Sequence, residues 1–368
     1  MALKNNFKNT IRQYSRAIDM PLFATTVAIS FFGVINMFGI AGWEGPFFEK
    51  QLILVLIGIA VMILFSFFNF RYFKNSSILV FALYIFSLLL LAFPSFFQSI
   101  RGVNSWIIIG NFTLEPSELM KLAFIIVMAK YFSQRHIHIH QFRHIFVSGI
   151  YYAVPAAMII SQPDLGSAII FTLIWFGMLI ASGINKKQLG ILAAVGLCIL
   201  IIGWVFVLKP YQKSRIISFL DPYGDPKGTG YNLIQSKIAI GNGYIWGEGL
   251  GRGSQTNLGF LPEPKNDFVF SAVAEQFGLL GITGILAAIA HIISRILNVG
   301  LRAGSNFGKL FSIGMAIFIF AHAFVGAGVN VGLLPVTGIP FPFLSYGGSN
   351  LISIMIGLGI IQSIKRYS

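Results

Sequence analysis

Ten runs of apolar residues, separated mostly by short polar connections, leave this chain few ways to fold. A bilayer-crossing helix needs roughly 20 mostly apolar residues, and the runs fall at about 19–40, 51–69, 77–97, 116–132, 145–161, 166–182, 188–208, 268–296, 307–333 and 341–363. Charged residues make up only 10% of the 368 residues, too few to cover a water-facing surface; an ordinary soluble domain carries about 25%. The sequence therefore predicts an all-α, polytopic integral membrane protein of about ten transmembrane helices. A long extracytoplasmic loop, 209–267, lies between helices 7 and 8. The whole chain, 1–368, reads as one membrane domain with a short N-terminal segment, 1–18, ahead of it. Disorder, a collagen repeat and a disulfide scaffold are excluded by the same composition. The lone cysteine, Cys198, lies in an apolar run and reads as a packing residue.

Lys and Arg number 26 against 12 Asp and Glu, a net charge of +14. In a soluble chain that excess would suggest nucleic acid. Here the cations cluster in alternate connections. Lys4, Lys8, Arg12, Arg16, Arg71, Lys74, Lys130, Arg135, Arg143, Lys186, Lys187, Arg295, Arg302, Lys309, Lys365 and Arg366 fall on one side, whereas the short loops of the other side hold only Lys50 and Arg101. That asymmetry places both termini in the cytoplasm and makes nucleic acid an unneeded partner. The basic N-terminus runs into the first apolar stretch without a small-residue cleavage site, so that stretch reads as a span and not as a cleaved leader.

The long loop contains two segments of amphipathic pattern, Tyr211–Ile217 and Tyr231–Ile240, which predict short helices on the outer membrane surface. A glycine-rich stretch, Gly241 to Gly253, lacks nucleotide-binding spacing and predicts turns. His136, His138, His140 and His144 alternate in one loop without Cys or carboxylate companions and read as solvated, and His291 and His322 read as satisfied core residues.

With so few acids, each can be weighed. Asp19, Glu44, Glu49 and Glu115 sit near span ends, and Asp221, Asp225, Glu248 and Glu263 in the long loop. Glu118 and Lys121, three residues apart, share one helical face. A charge at membrane depth costs about 2.5–3.5 kcal/mol, which predicts a structural ion pair or a charged cavity wall. Asp164, in Gln162-Pro163-Asp164-Leu165-Gly166, has the pattern of a turn and helix cap. Asp267 ends the long loop and opens span 8, where the helix dipole favours its ionised form. Glu275, eight residues on, lies about 12 Å deeper on nearly the same face, below Asp267 or paired with a cation elsewhere.

These motifs, taken in order, resemble the SEDS family (shape, elongation, division and sporulation: FtsW, RodA, SpoVE) along nearly the whole chain. The match runs through Arg101 to Trp106; Pro116-Ser117-Glu118 with Lys121; Gln162 to Gly166; Tyr211-Gln212 and Arg215; and Asp221-Pro222 through Asp225-Pro226. It continues with Gly230-Tyr231, Gln235 to Gly241, Phe260 to Glu263 ahead of Asp267-Phe268, and Ser345-Tyr346-Gly347-Gly348-Ser349. The Asp-Pro-x-x-Asp-Pro and Gln-Ser-Lys-Ile-Ala-Ile-Gly runs favour the RodA branch over the FtsW branch. Lys265-Asn266 stands where the family has His-Thr, Gln276 replaces a frequent second glutamate, and Asn350 a small residue.

The resemblance implies a peptidoglycan glycosyltransferase of the bacterial cytoplasmic membrane, one that polymerises lipid II during cell-wall elongation and shapes the rod. It implies Asp267 as the catalytic acid. Outside the cell activation must reside in the substrate's lipid diphosphate, and one inverting displacement needs one base, so Asp267 is assigned as general base. Arg101, Lys121, Arg215 and Lys237 are candidates for the diphosphate, and Trp106, Glu118, Gln162, Asp164, Glu275 and Ser345 complete the substrate-binding set. A divalent cation, Mg2+ or Mn2+, could share the charge neutralisation, although no ligand cluster marks its place. The implied partners are lipid II, the nascent glycan strand, membrane lipid, the elongation machinery and a single-pass class B penicillin-binding protein with transpeptidase activity. Two rival readings are a lipid II flippase, using the intramembrane Glu118, Lys121, Asp164 and Glu275, and a non-catalytic scaffold that activates a penicillin-binding protein.

Overall fold

The computed structural model describes residues 18–41, 46–96, 105–109, 112–134 and 142–368. Backbone polar groups in hydrocarbon must be satisfied internally, so apolar runs of this length become helices. The chain forms α1 (Met20–Ala41), α2 (Pro46–Phe67), the short α3 (Arg71–Asn75), α4 (Ser77–Ala92), α5 (Pro116–Ser133), α6 (Phe142–Ser161), α7 (Leu165–Ala181) and α8 (Lys186–Ile202). In the long loop lie α9 (Pro210–Leu220), α10 (Tyr231–Asn242) and α11 (Ser254–Asn257), followed by α12 (Val269–Arg302), α13 (Asn306–Val331) and α14 (Gly348–Tyr367). A two-stranded antiparallel hairpin, β1 (Ile107–Ile109) and β2 (Phe112–Leu114), precedes α5, with Ile107 opposite Leu114.

Ten of these helices occupy the ten apolar runs, and among the described residues seven are long and apolar enough on their own to cross a membrane. The α4 and α7 helices are apolar but have only 16 and 17 residues. Helix α5 carries Glu118, Lys121 and Lys130. It tolerates these charges because it is the central helix, buried along nearly its whole length among α4, α6, α7, α13 and α14. Local chemistry sets the ends. Asp164 and Ser305 cap α7 and α13 by accepting from the Ser167 and Gly308 amides, Pro116 sits in the first turn of α5, and Gly332, left-handed at φ 79°, ends α13. At the periphery, Gln188 is the sole buried side chain among those described on α8, and Cys198 is exposed there, so it does not pack as the sequence suggested.

Three expectations need correction. The last span begins at Gly348 and not at 341. Residues 341–347 stay non-helical, with Phe343 at φ 65°, because the Tyr346 amide and the Ser345 hydroxyl donate to the Lys265 and Asn266 carbonyls. Helix α10 is held by the bundle itself and not by a membrane surface alone: its Leu233, Ser236 and Ala239 face packs against α12 and α13. Helix α12 is broken at Gly278 (φ 64°, ψ −160°). Residues 244–249 enter the break, where Glu248 and Gly249 amides donate to the Glu275 and Gln276 carbonyls, and Leu279 and Leu280 amides donate to Tyr244 and Ile245.

Candidate active site

Two segments far apart in sequence meet where the long loop turns into α12. Glu263, at φ 43°, begins a tight turn whose carbonyl accepts from the Asn266 and Phe268 amides. The Ser345 hydroxyl holds the Asn266 carbonyl at 2.9 Å. Behind the turn, Asn330 of α13 donates to the Asp267 carbonyl at 2.8 Å, while its own oxygen accepts from the Ser271 amide and hydroxyl at 3.0 and 2.7 Å. Ser236 of α10 joins the same buried knot, 2.6 Å from the Ser271 hydroxyl. The backbone at Asp267 is therefore fixed by α10, α12, α13 and the 341–347 segment, while the residue lines a cavity of about 520 Å³.

The opposite wall of that cavity comes from β2 and the N-terminal end of α5. The Glu115 amide donates to Ser349 at 2.8 Å, and its carboxylate accepts from Ser117 at 2.7 Å. Burial first, and then the charges of Glu118 and Asp164, push the Glu115 carboxyl up to about 8, against the opposing pull of Lys121 and Ser117. Arg215, Tyr211, Gln212 and Ile216 of α9 cover the cavity, with Trp106 and Asp164 at its edge and apolar lining from Leu165, Ile169, Val336 and Phe343.

Beneath the cavity lies a fully buried polar cluster. Lys121 and Glu118 pair at 2.7 Å with neither side chain exposed. The other Glu118 oxygen accepts from Asn350 at 2.9 Å, and Lys121 also reaches Ser167 at 3.3 Å. His322 Nδ1 faces the Pro340 carbonyl at 3.1 Å; since a carbonyl can only accept, Nδ1 carries the hydrogen and leaves Nε2 to accept from Lys121 at 3.5 Å. Asn350, Pro340 and Ser349 also line the cavity, so the cluster is its foundation.

Of the site residues expected from sequence, the cavity brings together Asp267, Trp106, Asp164, Arg215 and Ser345. Glu118 and Lys121 lie one layer below and are committed to each other, so Lys121 is not a free cation for a diphosphate. Gln162 is buried and donates to the Leu91 carbonyl, tying the 162–164 turn to α4. Lys237 is exposed on α10 outside the lining. Glu275 does not line the cavity and has no cation partner among the described residues. It accepts from the Gln255 and Thr256 amides and the Thr256 hydroxyl at 2.5, 3.1 and 2.5 Å, because the long loop folds back over the break in α12. Arg101 lies outside the described residues, as do His136, His138 and His140.

Three residues of the site were not singled out from sequence. Glu115 looked like an ordinary span-end acid, yet it lies directly before Pro116 at a helix start. Asn330 is a polar side chain within an apolar span, which is itself a signal of an interior role. Ser349 belonged to the recognised Gly-Gly-Ser run without an assigned contact. Among the described residues no three His, Cys, Asp or Glu side chains are grouped to hold a metal ion. Asp267 and Glu263 both line the cavity, and a divalent cation there would be shared between such carboxylates and the substrate's own diphosphate.

A sequence profile described as cell cycle protein, FtsW/RodA/SpoVE, matches residues 18–368. Peptidoglycan glycosyltransferase MrdB of Escherichia coli K12 is 31% identical over 350 residues, covering 95% of this chain and 94% of that protein. Stage V sporulation protein E of Bacillus subtilis 168 is 33% identical over 361 residues, covering 95% and 97%. Among solved structures, a chain from work on the structural coordination of polymerization and crosslinking by a peptidoglycan synthase complex superposes with a TM-score of 0.80 at 28% identity, covering 95% and 98%. The Thermus thermophilus rod shape determining protein RodA shares the fold, with a TM-score of 0.70 at 24% identity and coverage of 95% and 97%.

Proposed function

The chain belongs to the FtsW, RodA and SpoVE family, and from that premise we propose that its cavity polymerises lipid II, with Asp267 as the general base. The protein is an integral membrane peptidoglycan glycosyltransferase. One observation carries the residue assignment: Asp267, in a turn held by Asn330 and by the 341–347 segment, lines the same cavity as Arg215.

The chemistry follows from those positions. The Asp267 carboxylate takes the proton of the acceptor sugar's 4-hydroxyl. That oxygen attacks the anomeric carbon of the donor as its bond to the lipid diphosphate breaks, with inversion. Such a base contributes about 10²–10⁴-fold. Arg215 meets the charge that collects on the departing diphosphate. Glu115, protonated at neutral pH, adds no like charge beside it. The apolar walls take the start of the lipid tail. The loop asymmetry in Lys and Arg supports cytoplasmic termini and a cavity on the outer side. The Asp-Pro-x-x-Asp-Pro run favours a role in elongation, and the superposition with a synthase-complex chain supports a transpeptidase partner, a single-pass class B penicillin-binding protein. The flippase reading is not adopted, because Glu118 and Lys121 are buried against each other and line no open path.

Purified protein in detergent with lipid II as sole substrate tests the reaction class. Glycan chains with released undecaprenyl diphosphate are expected, without nucleotide. Transbilayer movement of lipid II with no polymer formed would contradict the assignment.

A further inference from the structure

The structure has a second cavity, of about 300 Å³, at the other end of α5. Glu115 and Lys130 mark the two ends of that helix, and 15 residues at 1.5 Å rise place them about 22 Å apart. The lining includes Ser77, Phe81, Lys130, Tyr131, Gln134 and Tyr151, contributed by α4, α5 with the residue that follows it, and α6. We propose that this cavity binds the phosphate headgroup of an anionic membrane phospholipid, whose acyl chains lie along the groove between α4 and α6.

Lys130 is only 6% exposed, and its ammonium donates to the Lys74 carbonyl, a neutral acceptor that leaves the charge uncompensated. Among the described residues no carboxylate pairs with Lys130, and none lines the cavity. A buried cation without a counter-ion is costly, and a phosphate would compensate it. Lys74 and Arg143, both exposed, add positive charge at the same end of the bundle. Ser77 opens α4, a 16-residue helix whose first turn, among the described residues, is capped only at Leu79, through Ser76. Free amides at a helix N-terminus favour an anion.

Below the polar mouth, Tyr84 and Tyr151 meet edge to face at 5.6 Å, and the Tyr84 hydroxyl donates to the Tyr151 carbonyl at 2.8 Å, closing the groove floor. Phe81, Ile85 and Leu89 on α4 are exposed at four-residue spacing, as are Phe146, Ile150 and Val154 on α6. Residues four apart share a helix face, so two apolar stripes run away from the cationic mouth. A soluble phosphate would use the mouth alone; a phospholipid uses both.

The full-length protein in detergent, titrated with phosphatidylglycerol, phosphatidylcholine or inorganic phosphate and read by native mass spectrometry, tests this. Phosphatidylglycerol is expected to bind in preference to phosphatidylcholine, and Lys130→Gln is expected to weaken it about five- to tenfold. Should Lys130→Gln fail to fold, Lys74→Gln, at an exposed position, is expected to weaken binding in the same direction, whereas Lys227→Gln, exposed in the long loop and outside both cavities, leaves it unchanged. Equal binding of the two lipids, unchanged binding in the lysine variants, or displacement of the lipid by millimolar inorganic phosphate would overturn the proposal.

Discussion

A proton held on Glu115 at neutral pH has a direct consequence for rate. Its carboxyl is pushed from an ordinary 4.5 up to about 8 by burial and by its acidic neighbours. The folded state thus holds this proton more tightly than the unfolded chain does. Its contribution to stability falls as pH rises between those two values. Above about 8 the cavity gains a negative charge next to the departing diphosphate, so polymerisation is expected to decline on the alkaline side. Glu115→Gln is expected to flatten that limb in a pH–rate profile; an unchanged limb would remove Glu115 from the argument. One layer down, Lys121→Ala leaves Glu118 buried and unpaired. Losses of this kind run to about 3–5 kcal/mol, and a clear drop in melting temperature is expected. The pairing of Glu118 with Lys121 was legible from their spacing, and the cap at Asp164 from its Pro-Asp-Leu-Gly context. The partners from distant helices, Asn350 and His322, were not, because nothing local in a sequence encodes which helices pack together.

Helix α12 shows how an element can be right in outline and wrong in its middle. Its hydropathy marks a span, but Gly278 adopts a backbone conformation that side chains disfavour. A Cβ there would sit 2.5 Å from the Gly247 nitrogen and the Ile245 oxygen. Gly278→Ala is therefore expected to expel residues 244–249 from the break and destabilise the protein by about 1–3 kcal/mol. Hydrogen exchange at Glu248, Gly249, Leu279 and Leu280 would report it, as protection lost at all four amides together; protection retained there would show that the loop does not depend on the break. Glycine alone gave no warning, since many spans carry glycines that pack without strain. Glu275 likewise reads as a buried functional acid until the loop's return path is known. The start of α14 was set too early for a related reason: residues 341–347 are apolar enough to extend a helix, but their hydrogen bonds go to the 265–266 backbone instead.

At the scale of the whole molecule, the first, twelfth and last helices are tied together at Asp19. Its carboxylate takes a two-pronged contact from Arg295 at 3.0 and 2.6 Å and another from Lys365 at 3.3 Å, while its amide donates to Gln362 at 2.6 Å. Burial works against ionisation there. The Arg295 and Leu22 hydrogen bonds and the two cationic charges outweigh it, and the carboxyl lies below its ordinary 3.8. A depressed carboxyl stabilises the fold above its unfolded value and loses that contribution as pH falls through the folded one. Melting temperature is therefore expected to fall below about pH 3.8 in the wild type, and less steeply in Asp19→Asn, which starts lower. The bundle and its loop were legible because hydropathy alone dictates spans in lipid. The cavity was legible only through recognised motifs, and its foundation only in three dimensions. The central claim is that Asp267 removes the acceptor's proton, and parallel lipid II polymerisation by wild type and Asp267→Asn, with melting temperatures recorded on the same preparations, tests it most directly. Glycan chains from the wild type and a loss of at least about 10²-fold in the variant, at matched melting temperature, is the expected result; comparable product from both would contradict it.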